Sequence, residues 1–111
     1  MPIKDYRDDQ LKRLSNPEYS SQYLKVALDE TLKDGDMEAF LLALKNVVDA
    51  ADSVKAVAED ADISRQHLHR LLSGNGNPTL ETTVSILKAV GLTIDIKPLS
   101  SHASSDGVSA S

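Results

Sequence analysis

The feature that most constrains this chain is its punctuation. Asn16, Asp36, Ser53, Ser64 and Thr79 each stand where a polar side chain can cap a helix, and each precedes apolar residues at helical spacing. In Asn16-Pro17-Glu18 a proline at the first helical position and an acid in the first turn follow the cap, predicting a helix to about Lys33. Ahead of it, Tyr6, Gln10, Leu11 and Leu14 suit a short amphipathic turn or two. Asp34-Gly35-Asp36 is a break, after which Met37, Phe40, Leu41, Leu44, Val47 and Val48 form the clearest amphipathic pattern in the chain. Ser53 is expected to cap a short helix through Asp60, and Ser64 another through Leu72. The breaker cluster Ser73-Gly74-Asn75-Gly76-Asn77-Pro78 then leads to Thr79, which opens a helix through Val90 that closes on Gly91. A chain of 111 residues divided in this way is expected to bury its short helices around one small core. With one Phe, three Tyr and no Trp, that core must be aliphatic.

One stretch departs from the helical period. Leu92, Ile94 and Ile96 alternate with Thr93, Asp95 and Lys97 until Pro98, the pattern of a half-buried strand. A lone strand cannot satisfy its ladder groups, and no second strand is readable elsewhere. Pairing with a second copy is therefore expected, with Leu92, Ile94 and Ile96 as dimerisation residues. From Ser100 onward, SSHASSDGVSAS has almost no apolar mass and is expected to be a disordered tail.

Several function classes lose support at once. The absence of cysteine removes disulfides, thiolate metal sites and thiol nucleophiles, and makes a cytoplasmic protein the default. No run approaches the roughly 20 apolar residues that span a bilayer, and MPIKDYRDDQ lacks a signal-peptide core, so no membrane association is expected. No Gly-x-Ser-x-Gly elbow, phosphate-binding Gly-rich loop after a strand, or His-Glu-x-x-His pattern is present, so no enzyme and no cofactor are expected. His67 and His69 are two apart on a helix and point in different directions, which argues against a metal site.

The two short helices from Ser53 and Ser64 fit the helix-turn-helix pattern. Ala58 is the small crossing residue, Val57, Ala61, Ile63, Leu68 and Leu71 are the apolar supports, and Asp62 takes the turn position. That position usually holds Gly because it needs positive φ; Asp tolerates it with modest strain. No acid occurs between Ile63 and Leu80, although the chain carries a formal charge of -5. With Ser64 as N-cap, Arg65, Gln66, His69 and Arg70 fall on the exposed side. Arg can bind guanine edges and Gln adenine edges, so Arg65 and Gln66 are the candidate base readers. His69 and Arg70 could serve bases or backbone. The amides of Gly74, Asn75, Gly76 and Asn77 with the helix start at Thr79 suit a phosphate cradle, and equally a plain helix stop. An exposed face with two arginines and a glutamine would alone be only a solvated face. The apolar match and the acid-free run are what raise it to a candidate.

These residues resemble the XRE-type helix-turn-helix proteins and, within them, the HigA-like antidote proteins of addiction modules. YRDDQLKRLSNPEYSSQYLKVALDETLKDGDMEAFLLALKNVV resembles the leader of that group, and ISRQHLHRLLSGNGNPTLETTVSILKAVGLTIDIKPL its helix-turn-helix and closing strand. Asp62 in place of the turn Gly and the Ser-rich tail depart from the pattern. The resemblance implies an all-α, lambda-repressor-like fold, with a helical leader over residues 1–35, a DNA-binding domain with a closing strand over 36–99 and a tail over 100–111. It implies a bacterial antitoxin that neutralises a small basic, RelE-like toxin encoded beside it and represses its own operon as a dimer on double-stranded DNA. Ser53 and Lys55 would then contact the DNA backbone from the preceding helix, while Ser64, Arg65, Gln66, His69 and Arg70 occupy recognition-helix positions. A stand-alone XRE-type regulator, or a toxin-capturing module without specific DNA binding, are the alternatives.

Overall fold

Polar caps and glycine stops cut the chain into helices where the sequence places them. The computed structural model describes residues 3–73 and 76–99, and among these it contains six helices: α1 (Ile3–Leu14), α2 (Pro17–Asp34), α3 (Glu38–Asp49), α4 (Val54–Asp60), α5 (Arg65–Leu71) and α6 (Leu80–Ala89). The side chains of Asn16, Ser53, Ser64 and Thr79 accept hydrogen bonds from the backbone N–H groups of Glu18, Ala56, His67 and Thr82 at 2.9–3.1 Å. Each satisfies a donor that the first helical turn leaves unpaired. Asp36 works one residue earlier than expected: its Oδ1 accepts from Glu38 N at 2.9 Å, while Met37 occupies the cap position. Gly35 closes α2 at φ 74, its N–H bonded to Thr31 O, and Gly91 closes α6 at φ 88.

The most apolar helix sits at the centre. Phe40, Leu41, Ala43, Leu44, Val47 and Val48 of α3 are all buried, and α3 packs against α2 and α1 and more lightly against α4. Leu14 and Leu24 from the leader join the same core as Val57, Ala58, Leu68, Leu72, Ile86 and Leu87. Burying each large aliphatic side chain contributes about 1.5–3 kcal/mol, so this continuous aliphatic core is the main source of stability.

Two regions differ from the sequence expectations. The segment before Asn16 forms a full helix of 12 residues, not a turn or two. Its support comes from distant partners. Arg7 donates to Asn46 Oδ1 at 3.1 Å and pairs with Asp49 at 3.3 Å, and Asn46 Nδ2 donates to the Tyr23 hydroxyl at 2.9 Å. These polar contacts tie α1, α2 and α3 together around one half-buried asparagine. The expected C-terminal strand is corrected: among the described residues there is no strand, and residues 92–99 are irregular. A strand exists through its ladder, and the described residues provide no second strand to pair with. Leu92 is half-buried against the core, whereas Ile94 and Ile96 are exposed. The segment from residue 100 onward, expected as a tail, lies outside the described residues.

Candidate functional site

The link between α4 and α5 sets the exposed face of α5. Residues 61–64 make the turn: Asp62 N donates to Glu59 O and Ile63 N to Ala58 O, both at 3.0 Å. Asp62 has φ 62 and is the sole non-glycine with positive φ among the described residues. The left-handed geometry expected of that position is thus adopted by a residue that carries a Cβ penalty. Val57, Ala58, Ala61, Leu68 and Leu72 are buried, and Ile63 and Leu71 are half-buried. This apolar anchoring holds α5 by one side and turns the other outward.

On that outer side Arg65, Gln66, His69 and Arg70 are all exposed. Among the described residues Arg65 and Gln66 make no side-chain hydrogen bond, and no ion pair involves α5. The four ion pairs present join residues between Arg7 and Asp49. Arg70 Nη2 lies 3.2 Å from His67 Nδ1, a contact that holds the arginine along its own helix. Arg65 and Gln66 therefore offer unspent donors, and Arg70 is partly occupied.

The remaining expected residues spread around this face. Ser64 is exposed, with its Oγ committed to capping α5, and Ser53 is likewise committed to α4, beside exposed Lys55. Thr79 Oγ1 donates to Thr82 Oγ1 at 3.0 Å in addition to accepting from Thr82 N, so its one hydroxyl proton is already engaged. Asn77 is exposed; Gly74 and Asn75, expected in the phosphate cradle, lie outside the described residues. Gly76 has a packing reason to be glycine. A Cβ there would overlap the Leu71 backbone, because the loop returns against the end of α5.

A second surface was not anticipated residue by residue. Between α2 and α3 lies an open groove of about 480 Å³ whose lining includes Tyr19, Tyr23, Val26 and Leu42. Val26 is 63% and Leu42 56% exposed, although α2 and α3 pack closely beneath them. The signal was present but easily passed over. Leu42 falls outside the apolar stripe of α3, and Val26 lies seven residues after Tyr19 on one row of α2.

Among the described residues no helix is long and apolar enough to cross a membrane. Residues 6–98 match the family model described as "Probable addiction module antidote protein". A Haemophilus influenzae protein described as uncharacterized is 34% identical over 91 residues, which span 80% of this chain and 93% of the relative. No solved structure matches the chain. An antidote implies a toxin as counterpart, and with nearly the whole helical body inside the match, the chain belongs to the family of probable addiction module antidote proteins.

Proposed function

We propose that this protein is the antitoxin of a bacterial type II toxin–antitoxin module, that it neutralises a small basic RelE-like toxin, and that it represses its own operon. The α4–α5 pair acts as an XRE-type helix-turn-helix in a lambda-repressor-like domain, with α5 entering the major groove. The observation that carries this is the exposed, unpaired Arg65–Gln66 start of α5 on a stretch without acids. Arg65 and Gln66 read base edges; His69 and Arg70 contact bases or backbone; Ser53, Ser64, Lys55, Asn75, Asn77 and Thr79 position the protein on the phosphates. Two copies join through Leu92, Ile94 and Ile96, whose alternating segment gains in a dimer the ladder it lacks alone. Their recognition helices would then stand about 34 Å apart, matching a pseudo-palindromic operator. The assignment places the protein in the cytoplasm and requires no cofactor.

Titration of the protein's own promoter fragment and a scrambled one, by fluorescence anisotropy at several salt concentrations, tests this. Preference for the promoter of about a thousandfold, with a salt slope reporting several phosphate contacts, is expected. Equal, weak binding to both would remove the repressor function. A second assignment, toxin capture without specific DNA binding, is favoured by the formal charge of -5 and by the α2–α3 groove.

A further inference from the structure

The α2–α3 groove combines two properties that seldom coincide on a surface without a partner. Its floor and walls are apolar: Tyr19, Tyr23 and Val26 on α2 face Leu42 on α3. Large aliphatics this exposed contribute little to the core, and grouped together they mark an interaction surface. Its surroundings are acidic. Glu30 lies one turn after Val26 on α2, and Glu38 one turn before Leu42 on α3. Both glutamates are exposed, and neither takes part in an ion pair among the described residues, whereas nearby Asp29 is paired with Lys25 at 3.8 Å. Residues 17–44 carry six acids against two lysines.

We propose that this groove is the toxin-docking site, and that its occupant is an apolar segment of the toxin flanked by lysine or arginine. The proposal rests on the antitoxin assignment above and adds the surface and the chemistry of the contact. Charge decides among the candidate occupants. A second copy packed face to face on the groove meets Glu30 and Glu38 either with its own pair, placing like charges together, or, turned end for end, with its Tyr19 end, whose lining holds no lysine or arginine. The segment SSHASSDGVSAS of this chain offers Val108 as its only large aliphatic and no lysine or arginine. Nucleic acid is repelled by the acids and finds no lysine or arginine in the groove lining. A cationic, partly apolar protein segment satisfies both floor and rim.

The test uses the full chain and, as probe, the purified product of the reading frame adjacent to its own. Three proteins are compared by isothermal titration calorimetry: wild type, Val26→Lys/Leu42→Lys, and Glu30→Lys/Glu38→Lys. A fourth, Val26→Ser/Leu42→Ser, removes the apolar contact without adding charge, and thermal melts establish that each variant is folded. The groove variants are expected to weaken binding by about thirtyfold or more. The charge reversal should weaken it by about fivefold to tenfold and flatten its salt dependence. Unchanged affinity of both folded groove variants would overturn the docking site and leave the antitoxin assignment standing. No binding by wild type would overturn both. Sedimentation showing that the groove variants lose a wild-type dimer while still binding the probe fully would give the groove to a second copy and overturn the proposal.

Discussion

The outer face of α5 and the α2–α3 groove are made from the same kinds of helix, yet they leave opposite things unsatisfied. On α5 the apolar residues turn inward and the surface presents donors without acceptors: Arg65 and Gln66 are exposed, and no carboxylate pairs with the helix among the described residues. On α2 and α3 the surface presents apolar side chains and carboxylates, with Val26 and Leu42 open and Glu30 and Glu38 exposed one turn beyond them. A donor-rich surface without acids suits a polyanion, whereas an apolar surface with an acidic border suits a cationic protein. A small chain can thus keep two surfaces apart by separating its charges along the sequence, and its net charge then describes neither of them.

Leu68 is 1% exposed beneath α5, and Leu68→Ala should cost about 2–5 kcal/mol in urea denaturation. Because leader and α4–α6 share one core, amide exchange should rise in both halves; a rise confined to α4 and α5 would mean that the two surfaces rest on separately stable units. Arg65→Ala should lower promoter affinity by about 1–3 kcal/mol while leaving toxin affinity unchanged, and parallel titrations would show whether the surfaces are independent. Asn46→Ala removes the bridge between Arg7 and Tyr23 and should cost about 1–2 kcal/mol by thermal melting, with promoter affinity intact. The smallest effect has the opposite sign. Asp62→Gly relieves the left-handed strain at φ 62 and should stabilise the fold by about 0.5 kcal/mol, without altering which face α5 exposes.

How much of this was legible depends on how local each cause is. The caps at Asn16, Ser53, Ser64 and Thr79 act within three residues, so the starts of α2, α4, α5 and α6 could be read directly. The positive φ of Asp62 follows from the same short-range logic. By contrast, α1 is held by Asn46 and Asp49, partners 39 and 42 residues away from Arg7, and its full length could not be inferred from its own weak pattern. The groove depends on which face of α2 its neighbour leaves uncovered, a property of the pair. The alternating residues 92–97 show the limit from the other side: the pattern is legible, but the hydrogen-bonding partner that would make it a strand is absent among the described residues.

The placement of the aromatic side chains has one more consequence. The chain has no tryptophan, and its three tyrosines, Tyr6, Tyr19 and Tyr23, all lie in α1 and α2. Two of them line the groove, and none belongs to α4, α5 or α6. Two of the three tyrosines therefore report on the groove, and none reports on α5. Once the absorbance of added DNA is corrected for, its tyrosine emission should change more when a protein fills the groove than when DNA meets α5.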